Sequence, residues 1–190
     1  KPPAKNLKEL LQVKKEYLRH PNLKLKYGFN HRYHDSVSSA LKIIQSKEYG
    51  KVVNIRGVYG KSKIVNISQG WRSKRQYAGG GILLDQGIHM LDMISLFVDD
   101  ITDVKSMISN LFWKKDVEDN AFALMRTKSG KIISIHSSAT QWQHKFLIEI
   151  TLEQGLLTLS GILSGSKSYG KEKLSLIPRI DNNNGAKIKN

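Results

Sequence analysis

The residues best suited to chemistry lie in one glycine-rich stretch, residues 79–92, which reads GGGILLDQGIHMLD. Asp85, His89 and Asp92 fall at positions i, i+4 and i+7, so on an α-helix their side chains share one face. A carboxylate one turn before an imidazole can orient the ring and raise its basicity, and histidine titrates near working pH. Asp85 and His89 are therefore candidates for a proton-transfer pair, whereas Asp92 is expected to cap or pair locally.

The same stretch also has a purely structural interpretation. A buried histidine beside an aspartate is often a hydrogen-bonded polar pair in a core. The glycines at the start remove side chains, so either a ligand or another backbone segment can come close. Four apolar residues recur on another face and can hold the helix against a core: Leu84, Ile88, Leu91 and Ile94. Spacing alone leaves catalysis and structure open as alternatives.

The chain of 190 residues is strongly basic, with 31 Lys and Arg against 16 Asp and Glu and a formal net charge of +15. Such a charge raises the hypothesis of nucleic-acid binding. The basic residues are scattered, however, and no recognised nucleic-acid motif accompanies them. Nucleic-acid binding is therefore disfavoured, and attraction to an anionic cofactor or a phosphorylated substrate is the preferred explanation of the charge.

Several classes of protein are excluded or disfavoured by what the sequence lacks. It contains no cysteine, which excludes disulfides, thiol catalysis and thiolate metal sites. No apolar run reaches about 18 residues, so no membrane span is expected. No signal peptide is visible at the start, Lys1-Pro2-Pro3, and the missing initiator Met indicates that the native N-terminus lies upstream. We expect a cytoplasmic protein.

Periodicity and turn residues predict the elements that must position the glycine-rich stretch. Helical spacing predicts helices over residues 6–19, 35–48 and 81–97. Alternating patterns predict early strands over 24–30 and 51–60, and residues 61–78 are predicted to form a loop. The later predicted strands are 101–109, 119–127, 131–140, 145–153, 156–160 and 173–179, with a mobile tail at 181–185.

These elements predict an α+β fold with a mostly antiparallel, open β-sheet. Consecutive strands joined by tight turns, at residues 128–130 and 154–155, favour antiparallel pairing. The alternation over residues 146–153 indicates that one sheet face is buried and the other is polar. The helices are expected on one face, and the other could bury against a second subunit in a homo-oligomer.

Three segments together resemble the Gfo/Idh/MocA family of NAD(P)-dependent oxidoreductases, which act mostly on sugars, cyclitols and sugar nucleotides. Residues 79–92 resemble the family signature GG-x-x-x-D-x-G-x-H-x-x-D. Residues 27–33, YGFNHRY, are similar to the family's strand-exit segment with its Asn and Arg. Lys1-Pro2 is similar to the end of the family's Glu-Lys-Pro motif. The three matches occur in the family's order.

The resemblance implies a particular division of the chain. Family members have an N-terminal Rossmann domain followed by a C-terminal α/β domain with a large open sheet. Here no G-x-G-x-x-G follows a strand near the start. Residues 1–30 are therefore expected to be a helix–strand remnant of the dinucleotide-binding domain, and residues 31–190 a domain for substrate binding and oligomerisation. NAD or NADP is the implied cofactor, and the chain alone is expected to be inactive.

The resemblance also implies roles for individual residues. Lys1 resembles the lysine beside the nicotinamide and the reacting hydroxyl, so Lys1 and Pro2 are expected to contact the cofactor and Lys1 to be catalytic. Asp85 resembles the carboxylate that binds substrate and supports the histidine. His89 resembles the general acid/base that moves the hydroxyl proton during hydride transfer.

Three further residues are candidates for the substrate side: Arg32, Trp71 and Arg72. A guanidinium could hold a phosphate or carboxylate, although Arg72 can equally belong to a solvated loop. His31 and His34 are three apart and raise the alternative of a metal site, but a polar cluster at a helix start is favoured and no metal is expected.

A rival hypothesis from another class is a non-catalytic interaction module. In that case the sheet makes a contact with another chain, and the glycine-rich helix only preserves shape.

Overall fold

The computed structural model of the chain describes residues 2–61, 70–162 and 169–180. Within them, seven strands form one sheet in the order β2-β3-β4-β1-β5-β6-β7. The strands are β1 (Val52–Gly60), β2 (Ile101–Ser109), β3 (Asn120–Thr127), β4 (Ile132–Ser138), β5 (Lys145–Leu152), β6 (Gly155–Ser160) and β7 (Lys173–Pro178). The predicted strand over 51–60 and all those after residue 100 are confirmed, with ends that differ by at most two residues.

Neighbouring strands of this sheet are antiparallel, except that β1 pairs parallel with β4. The predicted mostly antiparallel open sheet is therefore confirmed, and the parallel pair is a feature that the sequence pattern did not predict. Because β1 and β4 run in the same direction, both end at one edge of the sheet. There the backbone N–H of Lys61 donates to the carbonyl of Ser138 at 2.8 Å, which extends the pairing beyond β1.

Four α-helices are described: α1 (Leu7–Leu18), α2 (Asp35–Ser46), the single turn α3 (Arg75–Ala78) and α4 (Ile88–Phe97). Helices α2 and α4 contact each other and the same face of the sheet, as predicted. Each fully buried aliphatic side chain there contributes roughly 1.5–3 kcal/mol to stability. The core residues with almost no exposure include Ile55, Met90, Met93, Ile94, Ile133, Ile148, Ile150, Leu157 and Leu159.

The opposite side of the sheet, which we call the open face, has no helix on it in the described residues. Strand β5 shows the division, because its residues alternate between buried and partly exposed along its whole length. On the open face, the pairing aligns Met107 with Phe122 and Phe122 with His136 in one row across β2, β3 and β4. Met107 is 81% exposed and Phe122 51% exposed, so part of this face is apolar and uncovered.

The predicted strand over residues 24–30 is wrong. Residues 24–29 have no regular secondary structure, and a 3₁₀ turn over Asn30–Tyr33 follows them. The alternation of Leu23 and Leu25 with lysines is present, but both leucines are exposed and no described strand pairs with this segment. An alternating pattern needs a partner strand before it can form a ladder, and the described sheet supplies none.

The predicted first helix is confirmed, with Asn6 as its N-cap. The Asn6 side chain accepts a hydrogen bond from the backbone N–H of Glu9 at 3.0 Å. Glu9 accepts in turn from the backbone N–H of Lys5, the residue before the cap. No residue of α1 is buried.

Two other predictions need correction. The helix predicted over 81–97 begins as a π-helical turn, Leu83–Gly87, before it continues as α4. The loop predicted over 61–78 contains a 3₁₀ turn, Trp71–Ser73, and the short α3. The rest of that loop, residues 62–69, and the predicted mobile tail lie outside the described residues. None of the described helices is long and apolar enough to cross a bilayer.

Candidate active site

The glycine-rich stretch begins where two backbone segments press against it. A Cβ on Gly81 would collide with the backbone of Glu118, because these two segments of the chain are in contact. Beside this contact, the N–H of Ile82 donates to the Glu118 carbonyl at 3.1 Å. Gly79 has a φ of 80°, and a Cβ on it would lie 2.8 Å from the Cα of Lys5. The predicted close approach at these glycines is therefore made by backbone, which leaves no case for a phosphate cradle there.

The π-helical turn that follows is held against strand β4. The Ser137 hydroxyl donates to the carbonyl of Ile82 at 3.1 Å. Gly87 packs on the same serine, and a Cβ on it would lie 2.9 Å from Ser137 Oγ. π-helical turns occur frequently at functional sites, and this one contains Asp85. The local sequence thus places Asp85 at the mouth of α4 and His89 inside the first turn of that helix.

Asp85 lies between two cationic side chains. Lys61 Nζ is 3.4 Å from one carboxylate oxygen, and Arg72 Nε is 3.6 Å from the other. Gln86 Nε2 also donates to the carboxylate, at 3.3 Å. The Lys61 side chain is only 10% exposed while that of Asp85 is 37% exposed, so the carboxylate faces outward from a buried ammonium.

His89 is buried and stacks on a second histidine. Its ring centroid is 3.9 Å from that of His31, with 6° between the ring planes. Phe29 contacts His89 edge-on at 6.0 Å. The Nε2 atom of His31 lies 2.9 Å from the phenol oxygen of Tyr59, so the stack connects α4 to β1.

Two tyrosines complete the buried side of the site. The rings of Tyr59 and Tyr169 meet edge to face at 5.5 Å, and His144 lies edge-on to Tyr169 at 4.9 Å. Burial raises the pKa of Tyr59 well above its usual value, with contributions from Tyr169 and Asp85. Burial also raises the pKa of Tyr169. Both phenols therefore stay protonated at any working pH.

Lys61, His31, Tyr59 and Tyr169 were not predicted as site residues. Tyr59 is the second-last residue of β1 and Lys61 follows that strand, so in sequence they look like a strand end and a loop. The sequence offered one signal for Tyr59 and Lys61, the predicted end of the strand over residues 51–60. In the structure β1 contacts α4. His31 adjoins the predicted Asn–Arg segment and was considered there as a metal ligand.

The three softer substrate-side candidates have different surroundings. The guanidinium of Arg32 makes a two-point pair with Asp92, at 2.7 and 2.5 Å, and this hydrogen bonding raises the pKa of Arg32. Asp92 therefore pairs across the fold instead of locally as predicted, and Arg32 ties the 3₁₀ turn to α4. Trp71 is 54% exposed, and the Arg72 guanidinium lies over its ring at 4.6 Å. Trp71 and Arg72 thus lie beside Asp85 through the ion pair of Arg72.

The predicted polar cluster at the start of α2 is present. His34 Nδ1 lies 2.8 Å from Glu172, and the same carboxylate accepts from the backbone N–H of Ser36 at 2.6 Å. The hydrogen bonds from Ser36 and His34 outweigh the opposing effect of burial and lower the pKa of Glu172. Among the described residues, no group of three His, Cys, Asp or Glu side chains could hold a metal ion.

Lys1 lies outside the described residues, so its predicted catalytic and cofactor roles stay predictions. Pro2 is partly buried. The following segment runs past the glycine-rich stretch, where Lys5 Nζ donates to the carbonyl of Gln76 at 3.1 Å.

A model of the GFO/IDH/MocA C-terminal domain matches residues 37–158, from α2 into β6. The chain belongs to the Gfo/Idh/MocA family. The resemblance found in the sequence is thereby confirmed, and the seven-stranded sheet is the fold of this family's C-terminal domain.

Two relatives with known names are similar in sequence to part of this chain. Levoglucosan dehydrogenase of Pseudarthrobacter phenanthrenivorans is 27% identical over 105 residues, which are 54% of this chain and 27% of that protein. The 1,5-anhydro-D-fructose reductase of Ensifer adhaerens is 35% identical over 74 residues, 38% of this chain and 22% of that protein.

Solved structures show the same fold over the whole chain. Levoglucosan dehydrogenase in complex with NADH has a TM-score of 0.81 at 21% identity and is matched over 100% of this chain and 52% of that one. The aldose-aldose oxidoreductase of Caulobacter crescentus complexed with glycerol has a TM-score of 0.79 at 18% identity, over 100% of this chain and 54% of that one. The chain therefore spans about half the length of these solved relatives.

The described residues do not fit a dinucleotide cofactor. A Rossmann site needs a glycine-rich turn between a parallel strand and a helix N-terminus. The sole parallel pair among the described strands is β1 with β4, and the sequence that follows β1 carries no such fingerprint. Backbone atoms of Lys5 and Glu118 occupy the space beside Gly79 and Gly81.

Proposed function

We propose that this chain is the substrate-binding and oligomerising portion of an NAD(P)-dependent oxidoreductase that acts on a sugar, a cyclitol or a sugar nucleotide. The observation that carries the proposal is the arrangement around Asp85. A carboxylate flanked by Lys61 and Arg72 lies at the mouth of α4, one turn from the buried His89. Membership of the Gfo/Idh/MocA family and the names of the two relatives support the same class of reaction.

The polar groups at the mouth are suited to recognising neighbouring hydroxyls. A carboxylate accepts a hydrogen bond from a hydroxyl, while an adjacent ammonium or guanidinium donates to a hydroxyl oxygen. Asp85, Lys61 and Arg72 present both kinds of group within one ion-paired cluster. The exposed Trp71 ring beside Arg72 adds an apolar surface for the carbon face of a sugar.

His89 is proposed to move the proton of the reacting hydroxyl. Oxidation of an alcohol carbon releases a proton, and reduction of a carbonyl takes one up, so one group must titrate near working pH. His89 is buried on the helix that begins with the π turn, which fixes its position relative to Asp85. Asp85 is assigned the support of this histidine as well as contact with the substrate.

The hydride acceptor or donor, NAD or NADP, is proposed to be held mainly by another part of the whole protein. Lys1 and Pro2 are proposed to reach it, and the contact of Lys5 with Gly79 supports this. Four residues span at most about 14 Å, so Lys1 can lie no farther than that from Lys5. The exposed leucines of α1, Leu7 at 68% and Leu18 at 67%, form an apolar surface suited to packing against such a part.

The open face of the sheet is proposed to form a homo-oligomer. Exposed Met107, Phe122 and Leu124 give it an apolar centre, and the ion pair of Arg56 with Glu149 at 2.6 Å lies beside that centre. An apolar patch with a polar rim is the pattern of protein interfaces.

The proposal is tested by replacing His89 with asparagine in the full-length protein. His89→Asn keeps a polar side chain of similar size but cannot accept the hydroxyl proton. We expect the kcat of sugar oxidation coupled to NAD(P)H formation to fall by about 10²- to 10⁴-fold. His20→Asn, the same substitution at an exposed histidine after α1, is the matched control and should leave kcat unchanged. A His89→Asn enzyme with wild-type kcat would remove the assignment of the general acid/base.

A further inference from the structure

The stack of His31 on His89 couples two imidazoles that cannot exchange a proton directly. Their planes differ by 6° at a centroid distance of 3.9 Å, and both residues are about 95% buried, with exposures of 6% and 5%. Imidazole N–H bonds lie in the ring plane, so neither ring aims a donor at the other. His31 therefore acts on His89 through its π face and its charge.

The surroundings of His31 favour its neutral form. Burial penalises the charged form of both rings equally, so the distinction rests on the hydrogen-bond partner of His31. The phenol of Tyr59, which keeps its proton because burial raises its pKa, lies 2.9 Å from His31 Nε2 and can donate to that nitrogen. With Tyr59 as the donor, a neutral His31 carries its ring proton on Nδ1. Phe146 closes another side of the ring with an edge contact at 6.4 Å.

The other titratable groups around the stack each have a charged or hydrogen-bonding partner of their own. His34 lies edge-on to His31 at 5.5 Å and is hydrogen-bonded to Glu172. On α4, Asp92 is paired with Arg32. At the mouth of the site, Asp85 is the acidic group one turn before His89 and is itself paired with Lys61 and Arg72. The ring in face-to-face contact with His89 is that of His31.

We propose that His31 is a positioning residue that stabilises the protonated form of His89. Its neutral ring, oriented by Tyr59, offers a π face to the His89 imidazolium, an arrangement equivalent to a buried cation–π contact. A second positive charge in the stack would be repelled, so the pair carries at most one. This inference rests on the proposed function, in which His89 carries the proton of the reacting hydroxyl.

The experiment is an NMR titration of the histidine rings in the 190-residue chain, with three variants. His31→Leu removes the π face, and the titration midpoint of His89 should fall by about one pH unit. His31→Phe restores a flat ring without a titratable group, and the midpoint should return to within about 0.3 pH units of wild type. A midpoint that rises in both variants would show that His31 is the charged ring and would overturn the inference.

Tyr59→Phe provides a second readout that does not depend on a large-to-small change. In the wild type, the ring ¹⁵N shifts of His31 should show a proton on Nδ1. In Tyr59→Phe, which leaves the stack intact but removes the donor to Nε2, that preference should be lost. An Nε2-protonated His31 in the wild-type chain would contradict the proposed orientation. The backbone amide spectrum verifies that each variant is folded.

The outcome is independent of the test of the proposed function. An unchanged His89 midpoint in His31→Leu defeats the positioning role of His31, even if His89→Asn abolishes turnover. Wild-type turnover in His89→Asn defeats the acid/base assignment, even if the midpoint shifts as expected. In the full-length protein, the acid limb of the kcat profile for oxidation should move with the His89 midpoint, because oxidation needs the unprotonated base.

Discussion

At the scale of single residues, the sequence predicts the two groups whose relation is local. Asp85 and His89 lie one helical turn apart, so their spacing alone brings them together, and both are found at the start of the same helix. Lys61, Tyr59 and His31 reach the site from other elements. Their proximity depends on how β1 and the 3₁₀ turn pack against α4, which no spacing in the sequence encodes. The same limit explains why Arg32 was predicted as a substrate ligand without its partner Asp92.

Lys61 gives a prediction at this scale, made for the full-length protein. Lys61→Met keeps the length of the side chain but removes a hydrogen-bond donor beside Asp85. We expect the KM for the sugar to rise about tenfold, equivalent to about 1.4 kcal/mol, with a smaller change in kcat. Lys42→Met, at an exposed position on α2, is the matched control. Equal KM values for Lys61→Met and the wild type would exclude a contact between Lys61 and the substrate.

At the scale of elements, the strands were predictable because their alternation and turn residues are local signals. The parallel pairing of β1 with β4 was not, since it depends on a long excursion of the chain through α4, β2 and β3. The π turn was also beyond the sequence pattern. The apolar spacing of residues 81–97 fits an ordinary α-helix. The π turn occurs where Gly87 packs against Ser137 on β4. The strand predicted over 24–30 failed because pairing decides whether an alternating pattern becomes a strand.

The open face of the sheet supplies the prediction for this scale. Phe122→Glu places a charge at the centre of the apolar row, where Phe122 stacks on His136 at 3.9 Å. If the face forms the homo-oligomer, burial of an unpaired carboxylate should shift the light-scattering mass toward the monomer. Lys42→Gln on α2 changes the net charge by the same amount on the helical side and should leave the mass unchanged. A Phe122→Glu protein with the wild-type mass would place the oligomer contact elsewhere.

At the scale of the whole molecule, the fold is that of the family's C-terminal domain. The described residues contain no site for a dinucleotide. The structural match to levoglucosan dehydrogenase covers 100% of this chain but 52% of that one. The absence of a Rossmann fingerprint was readable in the sequence, because that motif is a short local pattern. The basic charge was also readable, and the cluster of Lys61 and Arg72 around Asp85 gives part of it a place in the site.

The division of labour between this chain and the rest of the protein is tested most directly by calorimetric titration with NADH and NADPH. The account predicts that the full-length protein binds one of them with a Kd between about 1 μM and 1 mM, the usual range of enzyme–substrate constants. It predicts no binding of either by residues 1–190 alone under the same conditions. Binding by this chain with the affinity of the full-length protein, or binding of neither dinucleotide by the full-length protein, would contradict the account.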